Sequence, residues 1–256
     1  MKFRIINFFI WILLIAVAMY TGINGLPLWP IAVLAILYPV FLITISTNIR
    51  WNVFVKGYHH QKKHPKKEVC LTFDDGPTQV TPHILELLDK YDAKACFFCI
   101  GKQMEKHPEI VQEIIKRGHT IGNHTYSHTR KMGFLSSKSI AREIDACNIV
   151  ANDITGLNLH FFRPPFGIIN PKTKRAIQKT GHRVIGWNLR TYDAILNNET
   201  KIVDRVKRKL QPGDVILLHD NKEQTVTILE QLLIHFESNE YQAIRPDQLF
   251  KIHAYI

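Results

Sequence analysis

An α/β fold built on a parallel sheet, preceded by a helical hairpin in a membrane, is what this sequence predicts, on three observations. Two uncharged apolar blocks occupy residues 5–23 and 28–45, each near the lower limit for crossing a bilayer core as a helix. From residue 68 onward, short apolar runs alternate with amphipathic stretches, the succession of strands and helices that builds a parallel sheet. The polar residues that stand out each follow one of the apolar runs: Asp74 and Asp75, His124 and His128, Arg163, Asp193, His219. Parallel sheets and barrels gather their chemistry at that end of their strands.

The first block carries almost nothing polar except Asn7, and the second is similar apart from Thr44. As a single helix the two blocks would be about 60 Å long, too long for one crossing. Gly22, Gly25 and Pro27 supply the break, so a hairpin is expected over residues 1–47. A signal peptide cleaved near residues 22–25 is the weaker reading, because a second apolar block follows at once. Lys2 and Arg4 precede the first block, and Arg50 with a lysine cluster follows the second, with no charge between. The positive-inside rule then places both flanks in the cytoplasm, with the anchor in a bacterial cytoplasmic membrane and the folded domain on its inner face. If only one block spans, that domain lies on the outer side.

Residues 48–67 form a basic linker. His59, His60 and His64 within it read as a solvated stretch beside anionic headgroups rather than as metal ligands. The net charge of +11 is concentrated here: residues 1–67 hold eight of the 33 Lys and Arg and none of the 22 acidic residues. The remaining 25 basic residues face 22 acidic ones, a net of +3 over 68–256, which argues against nucleic acid as a partner of the domain.

Within 68–256, strands are expected at 69–73, 95–100, 120–122, 160–162, 183–188 and 215–218. Helices are expected at 81–91, 108–117, 136–154, 172–180, 202–210 and 225–236. In the long helix Ile140, Ile144, Cys147, Ile149 and Ile154 are the candidate core positions. Cys96 and Cys99 form a C-x-x-C inside an apolar strand. With no second pair they read as small buried filler rather than as a redox pair or half a zinc site.

The adjacent carboxylates of Asp74 and Asp75 disfavour each other's ionisation, a conflict that a divalent cation relieves by taking one as a ligand. Two histidines at i and i+4 would share one face of a helical turn and reach the same ion. Asp75, His124 and His128 are thus three candidate ligands with coordination positions left open, and Asp74 is free to act as a base. The pattern points to metal-assisted hydrolysis.

Four ordered motifs resemble the polysaccharide deacetylases, carbohydrate esterase family 4, with their NodB-homology domain. They are Thr72-Phe73-Asp74-Asp75-Gly76-Pro77, His124-Thr125-Tyr126-Ser127-His128, Arg163-Pro164-Pro165-Phe166 and Leu217-Leu218-His219. The resemblance is close over about 69–220 and looser beyond. It implies a distorted (β/α) barrel of about seven parallel strands that hydrolyses an N-acetyl group from an amino sugar. It further implies that Asp75, His124 and His128 hold the metal, zinc first, with cobalt, nickel or manganese as alternatives. Asp74 would take a proton from the attacking water, and His219 would protonate the departing amine. Arg163 would hold Asp74, and the backbone N–H of Phe166 would help to stabilise the oxyanion. Leu217 would line the acetyl pocket, with Trp187 beside it. One motif departs from the family: Asp193 matches the carboxylate that tunes the histidine, but Arg190 and Ala194 replace the usual Asp and Trp. That pocket wall differs from those of typical peptidoglycan deacetylases.

Three functions follow. The first is a membrane-anchored deacetylase of a polysaccharide or glycoconjugate. The second keeps the site but acts on a lipid-linked amino sugar at the membrane face, removing acetyl or formyl. The third is an inactive glycan-binding membrane protein, disfavoured because ligands, base and acid are all present.

Overall fold

The computed structural model describes residues 2–25, 27 and 29–256. Met1, Leu26 and Leu28, the last of which opens the second apolar block, lie outside the described residues, as do the side chains of Lys2 and Arg4. Helices α1 (Lys2–Ile23) and α2 (Trp29–Ser46) form the two arms of the expected hairpin, α2 continuing through Pro39. The polar side chains within the blocks are satisfied there. The Tyr38 hydroxyl donates to the Asn7 side chain across the hairpin, and Thr44 Oγ1 donates to the Val40 carbonyl at 2.8 Å. Both helices are long and apolar enough to cross a membrane, and only 6% of each apolar window is buried.

At the open end of the hairpin, Phe3, Phe41, Leu42 and Ile45 join Ile49 and Phe54 in a cluster. That cluster packs on Met132, Ile140, Phe162, Ala176 and Val184 of the folded domain.

The domain is a parallel barrel with an opening. Its strands are β1 (Gly57–Tyr58), β2 (Glu68–Asp74), β3 (Ala95–Cys99), β4 (Thr120–Asn123), β5 (Phe161–Phe162), β6 (Arg183–Ile185), β7 (Leu189–Arg190), β8 (Val215–His219) and β9 (Gln242–Ala243). The order is β1-β6-β5-β4-β3-β2-β8-β7, with β9 added to β2, and every strand pairing is parallel. Strands β2 to β8 supply the seven-stranded wall expected of a distorted barrel. It stays open between β6 and β7, where β1 pairs with β6 instead. Around it lie α3 (Thr81–Lys90), α4 (Gly101–Lys106), α5 (Pro108–Lys116), α6 (Ser137–Thr155), α7 (Pro171–Thr180), α8 (Glu199–Lys209), α9 (Gln224–Ser238) and α10 (Pro246–Phe250).

Three departures from the expected elements have local causes. The strand expected over 183–188 stops at Ile185, because the carbonyls of Ile185 and Gly186 accept from the Arg163 guanidinium at 3.0 and 2.9 Å instead of from a neighbouring strand on the wall. Helix α4 was not expected; its first amides, those of Gly101 and Lys102, donate to the carbonyls of Thr125 and Tyr126, both at 3.0 Å. Ile149, expected in the core, is 61% exposed. It lies two residues past buried Cys147, about 200° around the helix and so on the opposite face.

Side chains alternate across each strand. Phe73, Phe97 and Leu218 face the helices, while Cys96, Phe98 and Phe161 meet in a separate interior cluster. Cys96 therefore lies in a different cluster from Cys99, and all four cysteines are free and buried. Burial pushes the Cys96 thiol up to about 12, which leaves it inert.

Gly122 on β4 gives the interior its room: a Cβ there would stand 2.5 Å from the Phe98 ring and 3.4 Å from Phe161. The substitution Gly122→Ala is expected to destabilise the domain by about 1–3 kcal/mol through overpacking, read as a lower denaturation midpoint of the full chain in detergent. An unchanged midpoint would show that the Phe98 ring turns aside without cost.

Candidate active site

The chemistry collects at the C-terminal ends of the strands. Asp74 closes β2, paired in register with His219 at the end of β8, so both carboxylate and imidazole arrive at one level. The chain then turns: Asp75 adopts a left-handed φ of 79°, a conformation that a non-glycine residue holds only where its surroundings enforce it. Gly76 follows because nothing larger fits; a Cβ would lie 1.9 Å from an oxygen of Asp220.

The two histidines come together by another route than the expected helical turn. Residues 124–128 form a loop beyond β4, with Thr125 and His128 at φ of 68° and 47°. Side chains take the amides that a helix would bond internally. Asn123 Oδ1 accepts from Thr125 N at 2.9 Å, and Thr125 Oγ1 from His128 N at 3.2 Å. Glu143 Oε2 on α6 accepts from both the amide and the hydroxyl of Ser127 at 2.8 Å, and the Glu143 carbonyl accepts from Tyr126 N at 3.0 Å. The loop so pinned holds the two imidazoles with their centroids 4.8 Å apart.

Ligand atoms of Asp75, His124 and His128 all lie within 4.8 Å of one another. The Nε2 atoms of His124 and His128 stand 3.6 and 3.4 Å from Asp75 Oδ1. Donors about 2.1 Å from a tetrahedral ion are about 3.4 Å apart, so the spacing suits zinc or a cation of similar size. His124 Nδ1 lies 2.7 Å from the Arg163 carbonyl, an acceptor only. Nδ1 therefore carries the proton, and the Nε2 lone pair is turned toward the site. The residues present fit a divalent cation. Burial would raise the Asp75 carboxyl, but the hydrogen bond and charge of His124, with His128 and His219, outweigh it and bring it down to about 2. His124 is raised: burial opposes its charge, and the carboxylates of Asp74 and Asp75 more than compensate. His128 is lowered by burial and by His124.

Arg163 is fully buried. Its guanidinium donates to Asp74 Oδ1 at 2.8 Å and to Thr72 Oγ1 at 2.9 Å, and its face lies 4.1 Å from the Phe98 ring centre. Asp74 Oδ2 remains on the triad side, 3.9 Å from His124 Nε2.

Opposite, His219 Nδ1 donates to Asp193 Oδ1 at 2.9 Å, and its amide donates to Asp193 Oδ2 at 2.7 Å. Thr191 and Thr225 hydroxyls donate to the same carboxylate at 2.6 and 3.0 Å. Burial would lower His219, but the Asp193 hydrogen bond and charge, with Asp74 and Asp75 behind, raise it. Burial would raise Asp193, and the His219 hydrogen bond brings it down.

Of the pocket residues expected from sequence, Phe166 sits at φ 59°, half exposed, its ring 4.9 Å from that of His128. Leu217 is buried on β8, two residues before His219 and on the same face of the strand. Trp187 faces the Arg163 guanidinium at 5.4 Å and covers Gly167, where a Cβ would stand 2.7 Å from its ring. Arg190 stacks on Tyr192 at 5.1 Å.

Sequence reasoning missed four participants. Asn221 Nδ2 donates to Asp75 Oδ2 at 3.1 Å, and buried Asp220, held by Thr81 Oγ1 at 2.7 Å, backs the Asp75 turn. Burial, reinforced by the charges of Asp75 and Asp74, pushes Asp220 up to about 7. Both directly follow His219, so the end-of-strand pattern contained their signal. Thr72 was visible only as the opening residue of the Asp74–Asp75 motif, without a role, and Glu143 gave no signal, because a glutamate on a helix is ordinary there.

A sequence profile described as polysaccharide deacetylase matches residues 61–185. A Bacillus cereus peptidoglycan-N-acetylglucosamine deacetylase is 31% identical over 201 residues, covering 73% of this chain and 89% of that protein. The solved structure of the peptidoglycan deacetylase PdaC from Bacillus subtilis superposes with a TM-score of 0.69 at 30% identity, over 73% of this chain and 91% of that one. A wild-type CE4 family pseudoenzyme from Bacillus anthracis superposes with a TM-score of 0.67 at 27% identity, over 72% and 66% respectively. The chain belongs to the polysaccharide deacetylase family.

Glu143 carries the histidine loop without touching either ring. Glu143→Ala is expected to weaken metal binding by about 10–100-fold, measured by titrating zinc into chelator-stripped full chain. Unaltered affinity would show that Asn123 and Thr125 hold the loop unaided.

Proposed function

We propose that this chain is a metal-dependent hydrolase that removes the N-acetyl group from an amino sugar of a glycan and releases acetate. The observation that carries the reading is the convergence of Asp74, Asp75, His124, His128 and His219, with Arg163 and Asp193 each bonded to one of them. The activities named for its relatives support it. Asp75, His124 and His128 hold the ion, zinc ahead of cobalt, nickel or manganese. Bound there, it would supply Lewis acidity toward the attacking water and the acyl carbonyl.

Asp74 accepts the proton of the attacking water through Oδ2, since Oδ1 is occupied by Arg163. The Phe166 N–H donates to the developing oxyanion, the kind of preorganised dipole that contributes most to such reactions. Amide cleavage then needs a proton on nitrogen. His219 is suited to give it: Asp193 engages Nδ1, leaving Nε2 to face the leaving group, and stabilises the imidazolium form. Leu217 receives the acetyl methyl, and Trp187 and Phe166 border the sugar. The inactive glycan-binding reading is disfavoured, because ligand set, base and acid are complete and mutually engaged.

The hairpin anchors the enzyme in a bacterial cytoplasmic membrane, with the domain on the cytoplasmic face. Two uncharged spans and basic flanks at both ends support that topology. A topology reporter fused to the C-terminus is expected to report the cytoplasm, and an external signal would reverse the sidedness.

Full chain in detergent should release acetate from N-acetylglucosamine oligomers, stop with a chelator and recover with added zinc. Asp74→Asn should keep the metal and lower kcat by about 10²–10⁴-fold; normal turnover would remove Asp74 as the base. Because His219 acts while protonated and its pKa is raised above the ordinary value, kcat/KM should fall as pH rises through that pKa. Asp193→Asn lowers the pKa and should move this alkaline limb to lower pH. A limb that stays in place would show that Asp193 does not tune the histidine.

A further inference from the structure

The open end of the hairpin and the metal-site end of the barrel meet. The Ser46 carbonyl, at the end of α2, accepts from Ile169 N at 2.8 Å, and Ile45 shares a buried cluster with Met132 and Ile169. Met132 lies in the segment after β4 and Ile169 in the segment after β5. Parallel strands put both segments at the end that carries His128 and Phe166. The rest of the hairpin stays exposed, so it projects away from the barrel instead of lying along it. A spanning hairpin needs that surface in hydrocarbon. Its polar boundary then falls at Ser46, Thr47 and Asn48, followed by half-exposed Trp51, a residue that favours the interface. The barrel end that touches Ser46 is held at the same level.

That end is also apolar where it needs no packing. Phe134 is 86% exposed, Ile195 63% and Leu196 43%, and these residues follow β4 and β7 on opposite sides of the site. Exposed Arg130, Lys131 and Lys172 stand beside Phe134, Lys172 Nζ donating to its carbonyl at 3.3 Å. Basic residues around an apolar tip suit anionic headgroups over acyl chains.

We propose that the metal-site end of the barrel rests on the bilayer, with Phe134, Ile195 and Leu196 seated where headgroups meet acyl chains, and that the site takes an acylated amino sugar carried on a membrane lipid. The substrate class rests on the hydrolase reading above; the membrane contact does not. A lipid-borne sugar emerges from the headgroup layer directly opposite the triad. A long polymer strand would need clear access on both sides of a site that the bilayer covers.

The test uses full chain in phosphatidylcholine–phosphatidylglycerol nanodiscs, with single cysteines introduced at Phe134, Ile195 or Ile234 and labelled with an environment-sensitive fluorophore. The four native cysteines are buried. Ile234 is an exposed control ten residues into α9, about 15 Å along that helix from its start. Lipids spin-labelled near the headgroup should quench probes at 134 and 195 several-fold more than at 234; equal quenching at all three overturns the membrane contact. The double variant Phe134→Ser/Ile195→Ser should lower kcat/KM about tenfold on polyprenyl-linked N-acetylglucosamine in the discs and leave turnover of soluble N-acetylglucosamine oligomers unchanged. Equal loss on both substrates overturns the lipid-borne substrate. Wild-type protein inactive on both would overturn the hydrolase reading, while the quenching still decides the contact.

Discussion

A buried guanidinium is the constraint on which the site depends. Arg163 has no contact with solvent and cannot shed its charge, so every donor around it needs a fixed acceptor. The barrel provides these from four places: Asp74 and Thr72 on β2, and the carbonyls of Ile185 and Gly186 where β6 ends. Meeting that demand costs the wall its continuity, since carbonyls committed to Arg163 are unavailable to a neighbouring strand, and the barrel opens there. It also fixes Asp74. A carboxylate with one oxygen locked to a buried cation has one free oxygen, and that oxygen lies on the triad side.

Two carboxylate–cation pairs face each other across the triad and act differently. Arg163 remains charged throughout and only orients Asp74. His219 titrates, and Asp193, supplied with two threonine hydroxyls and an amide, is held ionised so that the imidazolium is favoured. One pair thus leaves a free carboxylate oxygen and the other an imidazole that favours its proton, beside three potential ligand atoms spaced to suit one cation. Parallel register lets residues from β2, β4, β5 and β8 arrive at the same level.

The hairpin and the chemistry share this geometry. Because α2 ends against the segment after β5, the hairpin meets the barrel at the end where the strands deliver the candidate site residues. Phe134, Ile195 and Leu196 at that end leave much of their apolar surface exposed.

Much of this was readable beforehand, because it depends on local pattern. Apolar runs punctuated by amphipathic stretches gave a parallel α/β domain, and the two uncharged blocks gave the hairpin. Asp75, His124 and His128 stood out because carboxylates and imidazoles at strand ends have few structural reasons to be there. What failed was the route between them. A spacing of four suggested a helical turn, whereas Asn123, Thr125 and distant Glu143 capture the amides a helix would use. Ile149 failed because being apolar does not put a residue on the buried face; it lies about 200° around α6 from Cys147, off the face that Ile140 and Ile144 share. Sequence by itself determined which groups are candidates to hold a cation, for carboxylates and imidazoles have that chemistry in any fold. Only the tertiary structure decided the pinned loop, the break after Ile185 and the end of the barrel nearest the hairpin, since each arises from contacts between segments far apart in the chain.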